Sequence, residues 1–180
     1  MHNYTYTSID NIIEEYPCEE EKPKTTKLFG LAEKCKMEER ITRKQMYQFC
    51  HWKSTRSSHH VLTNPPTFIN EIFRQSLQAD NEIIKLHLLT AITGVNIPTA
   101  SAILMFLDPR KYGVLDTRVW QLLFDFHEVE DKEKGVNFTL TDWKKYIFIL
   151  RKYAKKHRKS VREVEKKLFS LHRQLFNIHR

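Results

Sequence analysis

Glycine is scarce in this chain, and this scarcity limits the fold classes open to it. Only four glycines and six prolines occur in 180 residues. β-Sandwiches and β-barrels need many tight turns, and glycine and proline are the residues that most often form them. Apolar residues recur instead at helical spacing, as in Ile69, Ile72 and Phe73. The sequence therefore predicts an all-α protein.

Cysteine is also scarce, and its arrangement argues against several kinds of site. Cys18, Cys35 and Cys50 are odd in number, widely spaced and contain no C-x-x-C pair. This pattern favours a reducing compartment over a disulfide framework or a cysteine-rich zinc site. Three cysteines cannot supply the four thiolates that usually hold an iron–sulfur cluster. We expect no metal, no iron–sulfur cluster and no other cofactor.

Long apolar runs are missing as well. No run approaches the length of a membrane span. The first ten residues, MHNYTYTSID, lack the basic and apolar regions of a signal peptide. We expect a cytoplasmic protein, associated with the nucleoid if its source is bacterial, that is a monomer without a membrane partner.

Basic side chains are abundant, and they point to a polyanionic partner. The formal net charge is +8 and the isoelectric point is near 9.4. Nucleic acid is the first candidate for such a partner. An anionic membrane surface is the weaker one, because the basic residues sit on predicted helices that also carry core stripes.

Polar or proline-containing connections separate the predicted helices and suggest three regions. N-terminal helices and a charged linker occupy 1–40, a helical core occupies 41–127, and a C-terminal helical pair occupies 128–180 and packs with the N-terminal helices. The apolar stripe of the last helix predicts an intramolecular packing seam, with a short homodimeric coiled coil as the alternative. The residues predicted to cap helices at their N-termini are Ser8, Asp80, Thr141 and Ser160, and a further helix is predicted to start after Thr42.

The segment ITGVNIPTA joins two predicted helices through a glycine turn. Backbone N–H groups in the turn and at the start of the second helix lack intrahelical partners and carry the positive end of the helix dipole. A phosphate fits such a place without any side chain. An ordinary αα-hairpin with a glycine C-cap is the alternative. The residues predicted to hold a nucleic-acid phosphate are Gly94, Val95, Asn96, Ile97 and Thr99.

This hairpin and the downstream segment VLDTRVW together resemble the helix–hairpin–helix superfamily of base-excision DNA glycosylases. The superfamily includes endonuclease III, the adenine glycosylase, the alkylbase glycosylases and 8-oxoguanine glycosylase. Its hairpin typically reads L-P-G-V-G-x-K-T-A, followed at a fixed distance by V-D-T-H-V or V-D-V-H-V-W. The resemblance covers Leu88 to Leu122. It implies a trimmed, glycosylase-like helical bundle, with the hairpin in its core region, that binds double-stranded DNA.

The resemblance implies that Asp116 is the catalytic aspartate. Breaking an N-glycosidic bond builds positive charge on the deoxyribose, as in glycosidases. A fixed carboxylate stabilises this charge and orients a water molecule. Asp116 can also cap the helix that follows, and the two roles are compatible. Arg118 is a further candidate for DNA binding, and Tyr112 is a candidate for lining the base pocket.

Two departures from the family pattern refine this prediction. Bifunctional members carry a lysine nucleophile where this chain has Pro98, so we expect base release without strand cleavage. Asn96 replaces the second hairpin glycine. Asparagine tolerates the left-handed backbone conformation better than other non-glycine residues, so the turn is expected to persist.

The loop HWKSTRSSHH gathers aromatic and basic side chains. Trp52 suits either a wedge on nucleic acid or an anchor that fixes the loop to the core. Lys53 and Arg56 are predicted to bind DNA. His59 and His60 are adjacent without a nearby carboxylate, so we expect no metal there.

Two other functions fit the same sequence. A non-catalytic helix–hairpin–helix module would bind DNA without releasing a base. A helical protein-interaction domain would use the C-terminal seam and bind DNA weakly, in a fully salt-sensitive way.

Overall fold

A computed structural model describes residues 6–178, and all regular secondary structure in that range is helical. The all-α prediction is confirmed. No helix in the described range is both long enough and apolar enough to cross a membrane. The α-helices are α1 (Ile9–Glu15), α2 (Pro23–Met37), α3 (Arg43–Lys53), α4 (Pro66–Gln78), α5 (Glu82–Thr90), α6 (Ile97–Leu107), α7 (Thr117–Asp125), α8 (Leu140–Lys156) and α9 (Val161–Ile178), with a 3-10 helix at Ser58–Thr63.

The chain divides into two compact units. The middle unit runs from Glu21 to Asp108, and the terminal unit combines the described residues up to Glu20 with those from Pro109 onward. These boundaries differ from the predicted ones after residues 40 and 127. The candidate hairpin lies in the middle unit, whereas Asp116 lies in the terminal unit.

Helix α6 is the centre of the middle unit. Every residue from Thr99 to Phe106 is buried, and α2, α3 and α5 all pack against this helix. The small residues at the start of α6 leave room for α5, which packs against this helix. At its other end, the ring of Phe106 lies 5.1 Å from that of Phe29 and 5.3 Å from that of Phe49. An apolar helix surrounded in this way fixes the position of the hairpin that precedes it.

Helix α9 organises the terminal unit by packing against α1, α7 and α8. Its Val161, Val164, Leu168 and Leu171 are buried, as an intramolecular seam requires. The buried Lys167 donates a hydrogen bond of 2.6 Å to the carbonyl of Ile13 and so ties α9 to α1.

The predicted helix caps are partly correct. Ser8 and Thr42 cap α1 and α3, and Ser160 and Glu163 exchange backbone-to-side-chain hydrogen bonds before α9. The prediction for α5 is wrong by one residue, because Asn81 rather than Asp80 caps it. Both residue types are good caps, so their identity alone does not separate them.

The predicted cap of α8 is also wrong. Thr139, and not Thr141, accepts the hydrogen bond from the N–H of Asp142. Capping at Thr139 lets the Asp142 carboxylate accept the Thr139 N–H in return, which completes a capping box. Capping at Thr141 would place Lys144 at the reciprocal position, and a lysine cannot accept such a bond.

Candidate nucleic-acid interface

The hairpin turn between α5 and α6 is built by Gly94 and Asn96. Gly94 has a φ of 92°, in the region that favours glycine, and the N–H of Val95 donates to the carbonyl of Ile92 at 2.9 Å. Asn96 has a φ of −94°, so the expectation that it adopts the left-handed conformation is wrong. Its side chain instead caps α6 by accepting the N–H of Thr99 at 2.9 Å.

The turn presents backbone donors. Within residues 6–178, the N–H groups of Gly94, Asn96 and Ile97 donate no hydrogen bond to another residue. Asn96 is exposed, while Gly94 and Ile97 are half-buried. Val95 and Thr99 are buried, so any contribution they make to phosphate binding comes from shaping the turn.

A loop of the same unit is held tightly against this turn. The buried Asn64 accepts the N–H of Thr93 through Oδ1 and donates to the Thr93 carbonyl through Nδ2, both at 3.0 Å. A Cβ placed on Gly94 would lie 2.9 Å from the nitrogen of Val61 and 3.1 Å from the carbonyl oxygen of Ser57. The loop before Pro65 and the hairpin therefore form one packed structure.

The packing brings basic side chains of the loop beside the open donors. Arg56, His59 and His60 are exposed, and Lys53 is half-buried at the end of α3. The Cβ of His60 lies 3.0 Å from a Cβ placed on Gly94. The sequence indicates each group separately, but only the fold shows that they share a surface.

Trp52 anchors the loop to the core. Its indole N–H donates to the hydroxyl of Thr25 at 3.0 Å, and its ring meets that of Phe106 edge-on at 5.0 Å. This placement favours the anchoring interpretation over the wedge. A second anchor was not predicted from the sequence: His51 Nδ1 lies 3.1 Å from the hydroxyl of the buried Ser58.

Asp116 stands at the start of α7 in the terminal unit. Its carboxylate accepts the N–H of Arg118 at 3.0 Å, so the capping role is observed. The preceding segment is pressed against α8 and α9, because a Cβ on Gly113 would lie 2.9 Å from a methyl group of Leu150 and 3.1 Å from the Cβ of Glu165. A side chain at this position would have to displace the Leu150 methyl group and press on Glu165, so glycine suits the close approach of the backbone that carries Asp116.

A buried phenol and a second carboxylate lie near Asp116. The fully buried Tyr146 donates to the carbonyl of Val114 at 2.7 Å. Burial raises the pKa of Tyr146 well above its usual value, and the negative charges of Glu165 and Asp116 add to this effect. Glu165 is buried and accepts a hydrogen bond from the guanidinium of Arg162. Asp116 therefore borders a poorly solvated region, in which a carboxylate exerts a stronger field than in water.

The two other candidates in the terminal unit are placed differently. Tyr112 is buried, stacks on Trp143 with ring centroids 6.2 Å apart, and has the guanidinium of Arg151 5.3 Å from its ring. Tyr112 thus contributes to packing beneath the segment that carries Asp116. Arg118 is exposed and its guanidinium lies 5.3 Å from the ring of Phe169.

Comparison with protein-family models, with curated proteins and with solved structures gives no match to this chain.

Proposed function

We propose that this chain binds double-stranded DNA through its hairpin and the adjoining loop. The observation that carries the proposal is the packing of the loop onto Gly94, because it sets basic side chains beside the open backbone donors. We call this combination the hairpin surface: the N–H groups of Gly94, Asn96 and Ile97 and the exposed side chains of Arg56, His59 and His60.

Phosphate is the ligand that this surface suits. Backbone N–H groups at a helix start attract an anion through their own donors and through the helix dipole. The neighbouring Arg56 adds a long-range attraction to the DNA backbone that weakens as salt rises. Contacts of this kind hold a duplex without reading its sequence.

We further propose that this protein releases a damaged or modified base from DNA through Asp116. In this reaction the C1′–N bond breaks, its electron pair leaves with the base, and the oxygen of water bonds to C1′. The base takes up a proton, so atoms and charge balance. Asp116 stabilises the positive charge that develops on the sugar and orients the water. Pro98, in place of a lysine nucleophile, fits base release without strand cleavage.

A non-catalytic DNA-binding module is the second candidate. It is favoured by the hydrogen bond from Arg118 N–H to Asp116, because capping α7 is a sufficient structural reason for this aspartate. The packed position of Tyr112 also favours it, since a base pocket needs an accessible aromatic or apolar wall.

The DNA-binding proposal is tested by replacing Asn96 with aspartate. Aspartate caps a helix as well as asparagine does, so α6 keeps its start, but the new negative charge repels a phosphate. Asn81→Asp is a matched control, because Asn81 caps α5 in the same unit and the charge change is identical. We expect Asn96→Asp to weaken binding of a labelled duplex about ten-fold in fluorescence anisotropy.

Asn81→Asp is expected to change the affinity much less, through the net charge alone. Both variants should unfold at nearly the wild-type temperature, because both caps are preserved. Equal affinities for the two variants would contradict phosphate binding at the hairpin surface and would leave only general charge attraction.

A further inference from the structure

On the outer side of α8, one exposed aromatic side chain is surrounded by basic side chains. Phe148 is 71% exposed, although α8 buries every other large apolar side chain from Trp143 to Tyr153. Residues three and four positions away on a helix are its surface neighbours. For Phe148 every one of these positions is basic. They are Lys144, Lys145, Arg151 and Lys152, and Lys155 follows one turn later.

Part of this positive charge is paired within the chain, and part is open to a ligand. Lys152 lies 3.2 Å from Glu128, and Lys145 lies 3.9 Å from Asp131. Lys144 and Lys155 are exposed and form no ion pair within the described part of the chain. The two acidic partners, Glu128 and Asp131, are therefore fewer than the five basic residues on this side of α8.

The other exposed apolar residues lack such a setting. Ile84 on α5 is 53% exposed, but Asp80, His87 and Leu88 are its neighbours in the sequence at three and four positions. Isolated apolar residues on a surface are common and need no explanation. Phe148 differs because its neighbours are uniformly cationic.

The chemistry of this side of α8 points to nucleic acid rather than to a membrane. A membrane-binding helix presents a broad apolar face to the acyl chains. Here the broad apolar face of α8 is buried, and one phenyl ring stands among ammonium groups. An aromatic ring stacks on a base while lysines hold the neighbouring phosphates, which is the usual arrangement for single-strand binding.

The dimensions of the helix agree with this ligand. Lys144 and Lys155 are separated by about 16 Å along the axis at 1.5 Å per residue. This length spans several phosphates of one strand. Stacking needs an unpaired base, because neighbouring pairs cover the base faces in a duplex.

We propose that the α8 face, which comprises Lys144, Lys145, Phe148, Lys152 and Lys155, binds single-stranded DNA by stacking Phe148 on an unpaired base. The choice of DNA over RNA rests on the function proposed for the hairpin surface. The stacking itself rests on α8 alone. The α8 face would hold an unpaired strand while the hairpin surface holds duplex.

The test uses Phe148→Leu in the full chain, with Phe68→Leu as its matched control. Phe68 is a partly exposed phenylalanine on α4, at 38% exposure, so the chemical change is the same. The probe is an oligothymidylate strand that carries one 2-aminopurine, whose fluorescence changes on stacking. We expect Phe148→Leu to weaken binding of this strand about ten-fold and to abolish the fluorescence change. Phe68→Leu should leave both unchanged.

Heparin, an RNA strand and phosphatidylserine vesicles are three further probes, and Asn96→Asp is a further variant. Heparin has negative charge without bases, so Phe148→Leu should bind it as the wild type does. The Asn96→Asp variant should bind the single strand normally, which separates this proposal from the one for the hairpin surface. An equal loss of heparin and strand binding would overturn the stacking claim. Preferential binding of an RNA strand, or of phosphatidylserine vesicles, would overturn the assignment to single-stranded DNA.

Discussion

Gly94 shows how one residue can join two parts of a surface. Its positive φ forms the turn, and its missing side chain leaves room for the backbone of the loop at Ser57 and Val61. Each requirement alone would favour glycine, and together they exclude a Cβ. The basic loop and the open donors thus meet because this residue has no side chain.

Replacing Gly94 by alanine tests this packing. The substitution strains the backbone and sets a Cβ 2.9 Å from the Val61 nitrogen, so we expect the free energy of unfolding to fall by about 1 to 3 kcal/mol. Chemical denaturation of the purified variant measures the change.

Gly30→Ala is the control, because Gly30 lies within α2 and has nothing within 4 Å of a Cβ. Alanine is favoured over glycine inside a helix, so this variant should gain about 0.5 to 1 kcal/mol. Equal free energies of unfolding for the two variants would show that the close contact at Gly94 contributes nothing to stability.

At the scale of single elements, the start of α8 is held by charges as well as by its cap. Lys132 pairs with the buried Asp142, whose carboxylate also accepts the N–H and hydroxyl of Thr139. Burial opposes ionisation of Asp142, but Lys132 and Thr139 outweigh it and hold the pKa of this carboxyl below its usual value.

This depressed pKa gives a pH dependence of known sign. A carboxyl with a lower pKa in the folded state stabilises the fold above its unfolded pKa, and this contribution is lost as the pH falls through the folded value. Asp10 and Glu163 contribute in the same direction, because Lys156 and the Ser160 backbone, respectively, lower their pKa values. The terminal unit should therefore lose stability below about pH 4.

We expect Asp142→Asn to be about 1 kcal/mol less stable than the wild type at pH 7. Because the variant has lost one of these carboxyls, its stability should fall less between pH 7 and pH 3. Denaturant titrations at several pH values measure both quantities. Parallel pH profiles for the two proteins would contradict a stabilising role for the ionised Asp142.

The predictability of these elements from sequence depended on how local their determinants are. Helical spacing predicted the all-α class, and the caps at Ser8 and Ser160 were correct because a cap bonds within a few residues. The predicted cap of α8 was wrong although its determinant is local too: Asp142, three positions after Thr139, returns the hydrogen bond, whereas Lys144 could not do so for Thr141.

Some features of the candidate site could also be predicted from the sequence, and others could not. The glycine turn was predictable from a short motif, as was the capping role of Asp116. The packing of the loop against the hairpin was not predictable, because it depends on Asn64, whose contact with Thr93 spans 29 positions. The proximity of Tyr146 and Glu165 to the segment that carries Asp116 was not predicted for the same reason. The type of a helix residue does not show which distant residues it contacts.

At the scale of the whole molecule, the net charge is +8, and the surfaces that carry positive charge differ in the other groups that accompany it. The hairpin surface combines backbone donors with the charge of Arg56, and the α8 face combines lysines with an aromatic ring. These surfaces lie in different compact units, so a variant in one unit can be examined without altering the other. General charge attraction would instead make any exposed lysine or arginine equivalent to any other.

Base release by the wild type and by Asp116→Asn is the measurement that tests the proposed activity most directly. Asparagine keeps the cap of α7, so the variant should stay folded and bind DNA. Labelled duplexes that carry alkylated, deaminated, oxidised, mismatched or otherwise modified bases are incubated with each protein, and alkali then cleaves at abasic sites.

We expect the wild type to release a base from at least one duplex, to cleave no strand before alkali is added, and to act at least about 100-fold faster than Asp116→Asn. Release at equal rates would remove Asp116 from the mechanism. No release from any duplex, with DNA still bound, would contradict the enzyme and leave Asp116 as a helix cap in a non-catalytic DNA-binding protein.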